Sequence, residues 1–169
     1  DVLSYLCNIE GFKPYGYVDG VGQNATISIG AGFNIKYFTE SDMAILSDKG
    51  KAHVTELKKL LTKYKSGDIS LNEIQEYSIK QGNSITQEES QQIFRNKVLD
   101  LYKKFTSDFP NFTTLHSDRQ KALIDHAYQM GYGAGEFKKY WKEVSAALKT
   151  TNPRNRDYHF MMAGSHLLY

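Results

Sequence analysis

The chain has 169 residues, 21 of them Lys or Arg and 19 Asp or Glu, which gives a formal net charge of +2. This length suits one domain, and an apolar fraction of 40% suits a globular protein that can bury its own core. A nucleic-acid-binding protein is not expected, because no basic stripe interleaves with aromatic residues, and no apolar run reaches the roughly 18 residues of an integral membrane segment.

Cys7 is the only cysteine, so an internal disulfide is excluded. The five histidines show no metal-ligand spacing, and we expect neither a metal site nor a cofactor. We expect a monomer. A start at Asp1 without a methionine is compatible with a fragment or a processed form, so a fusion or delivery domain before Asp1 stays an open alternative.

The first fifty residues combine a helix with the only convincing β region. Residues 2–10 place apolar side chains on one helical face, and Glu10 ends this helix just before Gly11, a favourable C-cap residue. From 14 to 36, glycines separate short β-prone pieces such as 26–29. This texture predicts a small hairpin or meander.

Helical periodicity dominates after residue 50, and a capping box formed by Thr86 and Glu89 marks one helix start. Ser117 or Asp118 can cap another helix, which should end at Gly131. The predicted helices cover 51–65, 71–80, 87–104, 118–130, 137–148 and a last segment with Pro153 in its first turn. We therefore predict an α+β fold, with a small β-bearing lobe over about 1–50 and, over about 51–169, a linker helix and a larger helical lobe.

Two carboxylates near the β region could carry chemistry. Glu10 lies in an apolar and aromatic stretch, where partial desolvation would raise its pKa towards the range that a general acid needs. Asp19 is flanked by Gly20 and Gly22, which indicates a hydrated turn. Paired carboxylates in contrasting environments are typical of glycoside hydrolases. Ordinary solvent-exposed acids at a helix end and in a turn remain the alternative.

Residues 10–22 resemble the active-site segment of T-even phage lysozymes, which has Glu-Gly on the first helix and a Tyr-x-Asp nine residues after the Glu. Residues 28–33, Ser-Ile-Gly-Ala-Gly-Phe, resemble that family's next hairpin strand after an apparent insertion of about three residues. We interpret the glycines of this strand as allowing close approach to the sugar. Residues 122–131 resemble the central helix of its large lobe, and 154–164 are more weakly similar to its C-terminal helix.

The resemblance implies a lysozyme-like fold and a muramidase. Glu10 matches the catalytic acid, which protonates the glycosidic oxygen between N-acetylmuramic acid and N-acetylglucosamine. Asp19 matches the second carboxylate, which positions or activates the attacking water. Ser28 matches the hydroxyl that holds this water, or Thr26 does if the insertion is placed differently. An inverting hydrolysis follows, since a water must fit between carboxylate and sugar.

The same resemblance suggests substrate contacts. Phe33 and Asn34 would lie at the lower rim of the site, and Tyr128 and Gln129 match positions that face the sugar chain. The lysozyme-like catalytic domain of pesticin-type bacteriocins carries a functional Asp at the position of Asn34. If the chain followed that arrangement, its second carboxylate would be missing.

We therefore expect a peptidoglycan hydrolase that acts in the periplasm or at the cell wall of a target bacterium. A phage endolysin, a secretion-associated lysozyme domain and the killing domain of a bacteriocin all fit. One alternative is a peptidoglycan-binding pseudoenzyme in which Asp19, Ser28 and Asn34 no longer handle water. Another is a hydrolase of chitin or chitosan on the same scaffold.

Overall fold

The computed structural model describes residues 11–167, so the expected first helix, Cys7 and the candidate acid Glu10 lie outside the described residues. The fold is α+β, as predicted. Its three-stranded antiparallel sheet has the order β1-β2-β3, with β1 at Lys13–Asp19, β2 at Thr26–Gly30 and β3 at Phe33–Asn34. The helices of the described part are α1 (Glu40–Ile45), α2 (Asp48–Lys65), α3 (Leu71–Lys80), α4 (Gln87–Asp108), α5 (Ser117–Met130), α6 (Lys138–Lys149) and α7 (Pro153–Ser165).

Residue contacts divide the described chain into two compact units, 11–96 and 97–167. We predicted a small-lobe boundary near residue 50, whereas this division falls within α4. The reason is tertiary packing: α3 contacts β1 and α2 contacts α3, so both helices belong to the unit that carries the sheet. Within residues 11–167, no helix combines the length and the apolar character needed to cross a membrane.

The two faces of the sheet differ in chemistry because side chains alternate along each strand. Ile27 and Ile29 of β2 are fully buried in the core of the first unit, together with Ile35 just after β3. The other face is polar. Across the strands, Asp19 pairs with Thr26 and Ser28 pairs with Asn34, and directly opposite residues project on the same side of a sheet. The register therefore gathers these four polar residues on one face.

Helix α3 covers the outer edge of β1. The backbone N–H of Gly16 donates to Ser78 Oγ at 2.6 Å, and the N–H of Val18 donates to Gln75 Oε1 at 2.7 Å. Ser78 Oγ also lies 2.7 Å from Nε2 of the buried His53 on α2. A Cβ at Gly16 would come within 2.9 Å of Leu57, so glycine permits this close approach. These contacts tie strand β1 to both helices.

Local signals set several helix ends. At the start of α4, Glu89 N donates to Thr86 Oγ1 at 3.0 Å and Thr86 N donates to Glu89 Oε2 at 2.7 Å, which confirms the predicted capping box. Helix α5 begins at Ser117, so its N-cap is His116, whose Nδ1 accepts from Asp118 N at 3.4 Å. This corrects the expectation that Ser117 or Asp118 would cap it.

Aromatic packing dominates the second unit. The rings of Phe105 and Phe112 stack with centroids 4.7 Å apart, and both side chains are fully buried. Polar contacts join the later helices. Arg119 on α5 forms a salt bridge with Asp157 on α7 at 2.8 Å, and His159 Nδ1 on α7 lies within hydrogen-bond distance of Glu143 Oε2 on α6, at 2.7 Å. Helices α5, α6 and α7 are thus connected by side chains as well as by core packing.

Candidate functional site

A tight connection brings the end of β1 back into β2. Gly20 has a φ of 79°, in the left-handed region that glycine adopts freely, and a Cβ there would lie 2.9 Å from the carbonyl oxygen of Asn24. A short 3-10 helix, Gly22–Asn24, completes the turn. Asp19 is therefore held at the exposed end of β1, beside the polar residues of β2.

The central contact of the candidate site joins Asp19 and Ser28. Ser28 Oγ donates to Asp19 Oδ2 at 2.9 Å, and Ser28 is only 1% exposed whereas Asp19 is exposed. A hydrogen bond from a hydroxyl to a carboxylate is charge-assisted and directional. One oxygen of Asp19 is thus fixed by a buried hydroxyl while the residue faces solvent, an arrangement that could orient a base beside a water molecule.

Thr26 makes a different contact. Although it pairs with Asp19 across the strands, its hydroxyl donates to Asn34 Oδ1 at 3.3 Å. The same oxygen accepts the backbone N–H of Lys36 at 3.0 Å, so Asn34 caps the 3-10 helix Ile35–Tyr37. The structure thus links Thr26 to Asn34 and Ser28 to Asp19.

Phe33 lies in the core of the first unit. Its side chain is 3% exposed, and its ring packs edge-on against Phe38 with centroids 6.2 Å apart. We expected Phe33 at the rim of the site. Side chains alternate along a strand, so that of Phe33 points to the side of the sheet opposite to that of Asn34. Phe33 thus lies in the core and not at the rim, which corrects the predicted sugar contact.

The other predicted substrate contacts lie in the second unit. Tyr128 is half-buried and Gln129 is exposed, both near the end of α5. Helix α5 ends where predicted, because Gly131 takes a φ of 87° and its N–H donates to the carbonyl of Ala127. Glu10, the candidate general acid, falls outside the described residues.

A cleft of about 550 Å³, which was not predicted from the sequence, borders the polar face of the sheet. Residues from 23–26, 34–37 and 58–65 line it, including Thr26 and Asn34 but neither Asp19 nor Ser28. Two neighbouring segments, 23–26 and 34–37, meet residues 58–65 of α2 further along the chain, so only the charge pattern of the lysines could have indicated the cleft. No group of three or more His, Cys, Asp and Glu side chains is arranged to hold a metal ion within 11–167.

Comparison with known proteins yields no relative: no family model, no curated protein and no solved structure matches the chain. Functional assignment therefore rests on the residues and on their geometry.

Proposed function

We propose that the chain is a glycoside hydrolase that cleaves peptidoglycan at the β-1,4 bond between N-acetylmuramic acid and N-acetylglucosamine. The observation that carries this proposal is the hydrogen bond from Ser28 to Asp19. The resemblance to T-even phage lysozymes assigns these two residues to water handling, although they are nine positions apart in sequence. Their direct contact supports a common role.

In the proposed reaction, Glu10 donates its proton to the glycosidic oxygen as the bond to the anomeric carbon breaks. A water molecule attacks that carbon from the opposite side and gives a proton to Asp19. The products are a free reducing end with inverted configuration and a free hydroxyl on the next sugar. A general acid and a general base each contribute about 10²–10⁴ in rate in such reactions.

Ser28 fits a positioning role better than direct contact with water. Its side chain is buried, and its proton is committed to Asp19 Oδ2. By fixing that oxygen, the hydroxyl would direct the other oxygen of the carboxylate towards the water. This refines the expectation that Ser28 itself holds the water, and it makes the serine act through Asp19.

The surroundings of Asn34 favour Asp19 as the second carboxylate. The oxygen of Asn34 accepts hydrogen bonds from Thr26 Oγ1 and from the backbone N–H of Lys36. The first contact ties β3 to β2, and the second caps the 3-10 helix Ile35–Tyr37 that follows β3. An asparagine suits this capping role, so the pesticin-type arrangement is not needed to explain the residue.

The decisive experiment is mass spectrometry of the soluble products after purified sacculi are incubated with the protein. We expect muropeptides with reducing muramic-acid ends, and Glu10→Gln should abolish them because an amide cannot deliver a proton. Glu76→Gln, at an exposed position on α3, is the matched control and should release products at the wild-type rate. Anhydro ends would indicate a lytic transglycosylase instead, and a wild type that binds sacculi without releasing products would indicate a pseudoenzyme.

A further inference from the structure

The cleft beside the polar face carries a concentrated positive charge. Lys36, Lys58 and Lys65 all line it, and none of its described lining residues is an Asp or a Glu. None of these lysines forms an ion pair with a carboxylate among residues 11–167. Lys59, a neighbour on α2 that does not line the cleft, is by contrast paired with Glu56 at 3.5 Å. Unbalanced ammonium groups that share a concave surface favour an anionic ligand.

Two of the three lysines are held in place before any ligand arrives. Lys58 Nζ donates to the carbonyl oxygen of Phe38 at 3.0 Å, which leaves two of its three N–H donors for a ligand. Lys36 Nζ lies 5.3 Å from the centre of the Tyr37 ring, within cation–π range. Less side-chain entropy is then lost on binding, which is how preorganised sites gain affinity.

The number of cations indicates the kind of anion. All three charges are lysines, which bind phosphate oxygens as compact point charges. Three ammonium groups also exceed what one monovalent carboxylate can balance. A phosphate ester, or two successive phosphodiesters of a chain, matches this charge better.

The rest of the lining fits a hydroxyl-rich backbone between the phosphates. Gln23, Asn24 and Asn34 supply amides, and Tyr37 and Tyr64 supply rings, with Tyr37 64% exposed. The volume of about 550 Å³ lies within the range of small-ligand sites. We propose that this cleft binds phosphate esters, namely the phosphodiester chain of a polyol-phosphate or sugar-phosphate polymer. The cleft shares Thr26 and Asn34 with the polar face but contains neither Asp19 nor Ser28, and binding there does not depend on the hydrolytic function proposed above.

Binding can be measured on the whole protein by following its backbone amide NMR signals during a titration. The probes are inorganic phosphate, glycerol-phosphate oligomers and, as the monocarboxylate, acetate, all at equal ionic strength and pH. We expect saturable shifts confined to 23–26, 34–37 and 58–65 with phosphate, tighter binding with the oligomers, and no saturation with acetate. Equal responses to acetate and phosphate would overturn the proposal.

Variants show whether the lysines are responsible. Lys36→Gln/Lys65→Gln should weaken oligomer binding roughly tenfold or more, because two phosphate contacts are lost, while the bond from Lys58 to Phe38 is kept. Lys63→Gln/Lys80→Gln removes the same charge from exposed positions of this unit outside the cleft, and it should bind like wild type. Equal weakening by both pairs would reduce the effect to net charge and refute the site.

A binding experiment with vesicles distinguishes a soluble polymer from a lipid headgroup as the source of the phosphodiester. Vesicles of equal parts phosphatidylglycerol and phosphatidylcholine present phosphodiesters on a surface, and we expect weaker binding to them than to the oligomers. Stronger binding to vesicles would overturn the assignment to a soluble polymer. None of these measurements requires catalysis. The binding proposal can therefore hold if the hydrolase proposal fails, and the hydrolase proposal can hold if the binding proposal fails.

Discussion

Ser28 on β2 lies directly opposite Asn34 on β3, yet its hydroxyl donates to Asp19 on the other neighbouring strand, β1, at 2.9 Å. Asn34 Oδ1 in turn accepts a hydrogen bond from the hydroxyl of Thr26. The polar face thus contains two separate side-chain pairs, one with a carboxylate and one with an amide. This division decides which residue can act as a base.

Asp19→Asn should reduce the turnover of sacculi far more than it reduces binding to them. A base is needed mainly in the transition state, so kcat should fall by about 10²-fold or more while KM changes little. Initial rates and sedimentation with sacculi measure the two quantities. Asn34→Asp should leave the rate unchanged or lower it. If Asn34→Asp hydrolysed sacculi faster than the wild type and Asp19→Asn left the rate unchanged, position 34 rather than Asp19 would be the site of the base.

Ser28→Ala should lower kcat more than Thr26→Ala does, because of these two hydroxyls it is that of Ser28 that bonds Asp19, whereas that of Thr26 bonds Asn34. Ser28→Thr keeps the hydroxyl and should recover part of the loss, which a purely steric defect would not permit. Thermal unfolding of each variant, measured beside its rate, separates lost positioning from lost folding. If Thr26→Ala proves the more damaging change, the hydroxyl that serves the reaction is Thr26.

Burial lowers the pKa of His53, and the nearby Lys49 lowers it further. A histidine with a lowered folded pKa binds protons more readily when the protein is unfolded, so stability should be full above the unfolded value of 6.5. It should fall as the pH drops from there towards the folded pKa. The free energy of unfolding, measured in urea at several pH values in this range, should change less with pH in His53→Gln than in the wild type.

Lys49→Gln tests the electrostatic part of this effect. Removing the positive charge should raise the pKa of His53, and an NMR titration of the ring protons reads this directly. His126 shifts in the same direction through its own burial, so part of the pH dependence should remain in both variants. A pKa unchanged by Lys49→Gln would leave desolvation as the sole cause.

Gly30→Ala should destabilise the protein more than Gly82→Ala does. Both glycines have positive φ, at 66° and 75°, so each change carries backbone strain of about 1–3 kcal/mol. A Cβ at Gly30 would also lie 2.8 Å from Ser90 Oγ, whereas one at Gly82 meets nothing within 4 Å. The free energy of unfolding, measured in urea, should separate the two. Equal losses would show that α4 moves aside easily.

Structure set by neighbouring residues could be predicted from the sequence, whereas contacts between segments distant in the chain could be predicted less well. The capping box of Thr86 and Glu89 spans four residues, so its chemistry is visible in the sequence and the structure confirms it. Gly30 was misread as leaving room for a sugar. A Cβ at Gly30 would instead meet Ser90 on α4, and the sequence does not show that this later helix packs there.

The candidate site divides in the same way. The resemblance assigned Asp19 and Ser28 separately to water handling, and the direct hydrogen bond between them was not predicted. The lysine cleft was not anticipated, because 23–26, 34–37 and 58–65 meet only after the sheet packs on α2. Periodicity reports which face of a helix is apolar, but it does not report which polar groups another segment will bring alongside.

The hydrogen bonds from Gly16 and Val18 to side chains of α3 also bear on self-association. A bare edge strand is a template onto which a strand of another molecule can add, and α3 occupies that template on β1. The double change Gln75→Ala/Ser78→Ala should free those donors and promote strand addition between molecules. Light scattering and thioflavin fluorescence during storage at high concentration would detect this growth, and a variant that stays monodisperse would show that the bulk of α3 suffices to block it.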